Sequence, residues 1–485
     1  MKLLIVAQHT NFFRNLDNVL RELGRRGHEV VFLHGSKLDP AKMARKNRAN
    51  FGRGLQLAES EVPGVTTGYR PEPPEAWQRL LRNGRYVMNR ASYYRKAHPS
   101  PERTVEAIEK ELPLDLQRKV RSRLWRAVLA RPAVLDVWRW IEESVPPSPT
   151  LVSLIEDIAP DVALIVPMIW PKHSVESDYT HALRSLGIPC LGYLNGWDNL
   201  TSKGTVHVLP DVFVVWNEAL AEEAVTIHSV PPACIRITGA PHLDALFEMR
   251  PSATREAVLE SMGCPPQKPF VLYLCSSRTL VESETETVTA LADEMAGRFP
   301  DGAPTLVVRP HPTNALMWED YHYPGVVSYP KGGDQADTPD SWQDYFHQLT
   351  FSSCVFGLNT TAFLEAVVVD RPCLTIVSDE FYASQGRTGH FRHLVKGDFM
   401  EVSRNMAEVV DRVARILAGT DEKAASRQSF LEWFIRPEGR AQPAAPVVCD
   451  LFESLAIPRE GALERTAGRR VLVPGLSYNK KGVAQ

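Results

Sequence analysis

Residues 2–7, KLLIVA, are apolar apart from one lysine, and residues 12–26 place Phe12, Leu16, Val19, Leu20 and Leu23 at helical spacing. Gly27 ends that helix and EVVFLHG supplies a second apolar run. Two strands buried on both faces, with a helix and the short link GRRGHEV between them, pair in parallel through a right-handed crossover. The start of the chain is therefore committed to a parallel α/β domain.

The alternation continues. PDVALIVPMIW, IPCLGYLNG, PDVFVVWN and IRITGA read as strands separated by helices. Beyond a proline-rich stretch, FVLYLCSS, PTLVVRPHP, SSCVFGLN and RPCLTIV read as the strands of a second such unit. A chain of 485 residues is too long for one core. The expected fold is α/β, with two doubly wound Rossmann-like domains facing across a cleft. The first spans residues 1–247, a linker 248–268 and the second domain 269–438. Residues 439–456 form a helix crossing back to the first domain, and 457–485 an irregular tail.

Between about residues 70 and 147 the alternation gives way to helical periodicity, an insertion in the first domain. It is strongly basic, with 15 Lys/Arg against 6 Asp/Glu between Trp77 and Arg139, and aromatics are interleaved among the arginines. Its alternatives are a solvated helical subdomain or a surface for an anionic membrane, a lipid-linked acceptor or an acidic glycan. The whole chain carries a net charge of only -3, so nucleic acid is not an expected partner. Seven scattered cysteines lack the spacing of a zinc or redox site, which points to a reducing compartment. The opening MKLLIVAQHT turns polar too soon for a signal peptide, and no apolar run reaches membrane-spanning length. The expected location is cytoplasmic, with peripheral contact at the inner face of the membrane through the insertion.

Ligands of open parallel sheets bind beyond the carboxyl ends of the strands. Three polar clusters of the second domain fall there: Ser276, Ser277 and Arg278; Arg309 and His311 in RPHP; and Asn359, Thr360 and Thr361 at a helix start. Hydroxyls, arginines and helix amides together suit a diphosphate. Glu365, in the second turn of that helix, could accept from ribose hydroxyls. Each residue taken singly has an ordinary alternative in helix capping or turn formation. Gln385, Arg387, Thr388 and His390 form a further loop that could touch the donor's sugar or phosphates.

In the first domain, LNGWDNLTSKG follows a strand. Trp197 could pack on a sugar ring and Asp198 take a proton from an acceptor hydroxyl, with Asn199, Thr201, Ser202 and Lys203 holding the acceptor or a phosphate. His9, just past the first strand and beside Arg14, is the rival base. No residue set has metal-ligand spacing, and no cofactor is expected.

The layout resembles the GT-B superfamily, which includes nucleotide-sugar glycosyltransferases and non-hydrolysing UDP-N-acetylglucosamine 2-epimerases. RPHP is similar to the His-Pro element of capsule glycosyltransferases and glycerophosphate-polymerising transferases. GLNTTAFLEAVVVDRPCLTI looks like the donor-phosphate helix, and GWDNLTSKG and SQGRTGHFRHL are similar to segments of surface-polysaccharide transferases. The resemblance covers roughly residues 1–60 and 155–455. It implies a metal-independent glycosyltransferase that moves a sugar from a nucleotide-sugar donor to a surface-polysaccharide or lipid-linked acceptor. It also admits a CDP-glycerol-type glycerophosphotransferase or a catalytically silent scaffold. Where the epimerases carry a His-Val-Glu-Ala-Gly run this chain reads YLNGWDN, which counts against epimerisation.

Overall fold

The computed structural model describes residues 1–9, 12–35, 62–95, 102–170, 175–278, 280–333, 336, 338–382, 384–386 and 388–456. The tail expected at 457–485, like Arg387, lies outside them. Two parallel sheets carry the fold. The first contains β1 (Lys2–Ala7), β2 (Glu29–His34), β3 (Val65–Tyr69), β4 (Val162–Val166), β5 (Cys190–Tyr193), β6 (Val212–Val215) and β7 (Ile235–Ile237). Their order is β3-β2-β1-β4-β5-β6-β7. The second contains β8 (Phe270–Leu274), β9 (Thr305–Arg309), β10 (Val326–Ser328), β11 (Cys354–Gly357), β12 (Cys373–Ile376) and β13 (Met400–Ser403), in the order β10-β9-β8-β11-β12-β13.

Both orders are doubly wound. The chain leaves its first strand in one direction and returns to that strand's other side. Residues 3–7 and Phe270–Leu274 are buried because helices cover both faces of each sheet. The strands β3, β10 and β13 were absent from the sequence expectation. All three are edge strands of three to five residues; β3 and β13 mix buried with exposed positions and β10 is half-buried throughout, so none offers a continuous buried apolar run.

Among the described residues the insertion contains five helices, Gln78–Arg95, Glu102–Glu109, Leu114–Arg121, Arg123–Leu129 and Pro132–Ser144. They share a small core of Tyr86, Ala91, Leu112, Val120 and Leu129. Buried polar contacts seat them on the first domain. Arg85 forks onto Glu142 at 2.7 and 2.8 Å and onto Asp178 at 2.9 and 2.7 Å. Arg139 donates to the carbonyls of Val206 and Ser229.

One apolar cluster runs through both domains, including Trp197, Trp216 and Leu243 from the first and Phe363, Leu394 and Phe434 from the second. The helix Ala444–Leu455 lies on the helix Phe12–Arg25, where Val448, Cys449 and Phe452 pack with Leu16, Val19 and Leu20. Among the described residues no helix is long and apolar enough to cross a membrane.

Candidate functional site

In each sheet the strand order reverses beside the first strand, between β1 and β4 and between β8 and β11, and the diverging loops leave a crevice there. In the first domain those loops carry His9 and Trp170, whose rings meet edge to face at 5.6 Å. In the second they carry Ser276 and Asn359, joined by the Asn359 amide donating to Ser276 Oγ at 3.3 Å. The candidate residues thus line two facing reversal points.

The second domain's rim is built around Arg309. Its guanidinium donates to Gln348 Oε1 at 2.9 Å and lies 4.2 Å from the Tyr345 ring centroid. Tyr345 in turn donates to Glu365 Oε2 at 2.5 Å, which links Arg309 to the helix Ala362–Val368. Burial lowers the Arg309 pKa, partly offset by Tyr345, Asp344 and Glu365, and the like charge of Arg14 lowers it further. Arg14 belongs to the helix Phe12–Arg25 of the other domain and stacks over Trp342 at 5.0 Å. The Trp342 and Tyr345 ring centroids are 6.1 Å apart, so the two guanidinium groups, one from each domain, stack on neighbouring rings. The amides of Thr360 and Thr361 have no hydrogen-bond partner among the described residues. His311 accepts from the Thr313 amide at 3.1 Å, and Thr313 Oγ1 accepts from the amide of exposed Arg278 at 3.2 Å.

Across the seam, Trp197 Nε1 donates to Thr361 Oγ1 at 3.2 Å, and the indole stands edge-on to the His390 ring at 4.9 Å. Beside it, Asp198 Oδ2 accepts from Ser202 Oγ at 2.6 Å and lies 3.7 Å from Lys203 Nζ. Burial raises the Asp198 pKa. Lys203, His390 and the Ser202 hydroxyl outweigh that effect and hold the carboxyl below the ordinary range. Lys203 also reaches to 6.0 Å from the Trp170 ring, so Lys203 and His9 approach the same indole.

No family model matches the sequence, and no curated protein does. Solved structures do match. A UDP-GlcNAc 2-epimerase from Neisseria meningitidis, bound to UDP-GlcNAc, is 12% identical with a TM-score of 0.52, over 93% of this chain and 100% of that one. A glycosyltransferase from Rickettsia africae ESF-5 is 10% identical with a TM-score of 0.51, over 94% and 98%. The UDP-GlcNAc 2-epimerase of Methanocaldococcus jannaschii is 10% identical with a TM-score of 0.50, over 93% and 100%. The fold is GT-B. Identities this low carry the fold and nothing finer.

Within the GT-B frame several expectations need correction. Trp197 is not presented to a sugar, because it is 2% exposed and wedged into the core shared by the two domains. Asn359 and Gln385 are turned inward. Asn359 Nδ2 donates to the Ser384 carbonyl at 2.5 Å and to Thr388 Oγ1 at 3.1 Å. Gln385 Nε2 donates to the Leu358 and Ile376 carbonyls at 3.0 and 2.8 Å. Both stitch the loop after β12 onto the sheet, as polar residues beyond a buried strand must do to satisfy its last carbonyls. Ser276 is buried too, holding Asn359 rather than a ligand. Asn199 is buried next to Trp197. Glu365, which accepts from Tyr345, and His390, packed against Trp197, are buried as well. Arg309, His311, Thr360, Thr361, Asp198, Ser202, Lys203, His9, Ser277 and the exposed Arg278 lie at or beyond the carboxyl ends of the strands. Arg14 was noted only as a neighbour of His9, and its stacking on the ring next to that of Arg309 is a finding of the structure.

Two buried groups, His390 at the seam and Glu284 inside the second domain, give the fold a pH signature. Burial lowers His390 to about 4 from 6.5, only partly offset by the Asp198 and Glu223 carboxylates. Its contribution to stability is present above about pH 6.5 and lost as the pH falls through about 4. Glu284 behaves oppositely. Burial raises it to about 7 from 4.5, although the Ser276 amide and Tyr273 hydroxyl both donate to it. Its contribution is present below 4.5 and lost as the pH rises through 7. Glu284→Gln is therefore expected to gain stability relative to wild type, by about 1.4 kcal/mol per pH unit, between those limits. Urea melts of both proteins at several pH values measure that difference, and a constant difference across pH would refute it.

Proposed function

We propose that the protein transfers a sugar from a nucleotide-sugar donor to a surface-polysaccharide or lipid-linked acceptor. The observation that carries this reading is that Arg14 and Arg309, from opposite domains, stack on the neighbouring rings of Trp342 and Tyr345, an arrangement whose self-repulsion a diphosphate would relieve. The Thr360 and Thr361 amides and His311 would complete the donor-phosphate contacts, with Ser277 and Arg278 at the edge. The bound UDP-GlcNAc of the Neisseria structure supports a nucleotide sugar as the ligand of such a fold. Arginine and amide donors would stabilise the leaving diphosphate, so no metal enters the reading.

Asp198 and His9 are the candidate bases for the acceptor hydroxyl, with Ser202 and Lys203 orienting it. The lowered pKa of Asp198 keeps it ionised but makes it the weaker base, while His9 stands at the reversal point itself. A second reading, a catalytically silent nucleotide-binding scaffold, is favoured by the way Trp197, His390 and Thr361 bridge the seam.

A thermal-shift panel of UDP, CDP, GDP, dTDP and CMP with their sugars identifies the donor. Saturation at about a hundred times Kd should add about 2.7 kcal/mol of stability. With that donor, transfer or donor hydrolysis should fall at least about a hundredfold in Asp198→Ala or in His9→Ala. Binding without turnover in the wild type would favour the scaffold. Release of an epimerised nucleotide sugar would sink the transferase reading.

A further inference from the structure

The helices Arg123–Leu129 and Pro132–Ser144 wear their apolar side chains on the outside. In the second, Leu135, Arg139 and Glu142 face inward, with Glu142 closed on Arg85 and Arg139 on the Val206 carbonyl. Val137 and Trp140 stand outward at 57% and 68% exposure. In the first, only Leu129 is buried, and Leu124 is 74% exposed with Trp125 and Val128 at 42%. A helix that buries an ion pair and leaves tryptophan in water inverts the usual amphipathic arrangement. Most of the large apolar side chains exposed among the described residues lie in this insertion, and such clustering marks an interaction surface.

The charge on the first of these helices and on the one before it, Leu114–Arg121, says what they meet, whereas the second carries exposed Asp136 and Glu143. Residues 114–131 hold six basic side chains against a single acid, Asp115. Arg118, Lys119, Arg123 and Arg131 are exposed. A second copy of so basic a surface would be repelled, whereas anionic headgroups would be attracted. We propose that this face docks on an anionic lipid surface. Leu124, Trp125 and Trp140 enter the headgroup layer and the arginines meet the lipid phosphates. The inference stands on the insertion alone and not on the transferase reading, and its test needs no nucleotide.

The test is co-sedimentation of the full chain with vesicles of phosphatidylcholine, with or without about a third phosphatidylserine. Binding is expected only to the anionic vesicles and should weaken about tenfold when salt is raised from about 0.1 to about 0.5 M. A Leu124→Asp/Trp125→Asp variant should lose about tenfold in partitioning with an unchanged melting temperature. If that variant melts early, Arg118→Glu/Arg123→Glu, confined to exposed charges, gives the same reading. Wild type that ignores anionic vesicles, binds neutral ones equally, or is unaffected by either double substitution overturns the proposal. So does a dimer in sedimentation velocity that the first double substitution splits.

Discussion

Arg309→Ala is expected to weaken nucleoside-diphosphate binding by about a hundredfold while leaving the melting temperature within a few degrees of wild type. The guanidinium is held at the end of β9 by Gln348 and by the face of Tyr345, so it is positioned before any ligand arrives. Nearby carboxylates already have donors. Asp344 accepts from Gln348 at 2.8 Å and Tyr329 at 3.3 Å, and Glu365 accepts from Tyr345. Their charge supports Arg309, yet burial and Arg14 still leave its cationic form less favoured than in water. Removing such a cation costs the fold little, since its own environment disfavours the charge. Removing it from a diphosphate complex forfeits charge-assisted hydrogen bonds worth roughly 1.5–3 kcal/mol. Calorimetric titration with the nucleotide found in the thermal-shift panel measures the loss. Unchanged affinity together with a collapsed melting temperature would make Arg309 a structural residue and remove the main support for the transferase reading.

How much of this was legible in the sequence depended on range. β1, β4, β8 and β11 announce themselves because a strand buried on both faces needs an unbroken apolar run, and the loops after them followed from that placement. The fate of the polar residues in those loops did not follow. Asn359, Gln385 and Ser276 have the same chemistry whether they donate to a phosphate or to a neighbouring carbonyl, and here the Ser384, Leu358 and Ile376 carbonyls take them. The choice is made by how the loop after β12 folds back, which no local pattern records.

Trp197 and Arg14 were illegible for a different reason. Each acquires its role from the other domain, Trp197 through Thr361 and Arg14 through Trp342, contacts spanning well over a hundred residues of chain. A tryptophan next to Asp198 on a polar loop reads as a ligand platform. Only the docking of two sheets around one apolar cluster turns it into a wedge. That same docking sets the two arginines on neighbouring rings, so the feature that misled the reading of Trp197 also creates the rim on which the proposed chemistry depends.

The docking itself hangs on Asp244, and Asp244→Ala should cost about 3–5 kcal/mol. Its carboxylate accepts from Arg436 Nη2 at 2.8 Å and from the amides of Ala444 and Ala445 at 3.1 and 2.7 Å. Burial raises its pKa, and those two amides and Arg436 offset the rise only in part. Truncation leaves the guanidinium of Arg436, 4% exposed, without its anion and uncaps the helix Ala444–Leu455 at the same stroke. That helix is what pins the chain's return onto the helix Phe12–Arg25. The expected fall in Tm is roughly 6–15 °C. Asp244→Asn, which keeps an acceptor but not the charge, should fall between the variant and wild type. Because the loosened helix lets the domains part, nucleotide affinity should drop with no ligand contact removed, and proteolysis should first cut near residue 440. Differential scanning calorimetry and limited proteolysis report the two effects separately. A loss under about 1 kcal/mol would mean that the shared apolar cluster, rather than this polar lock, holds the two halves of the fold together.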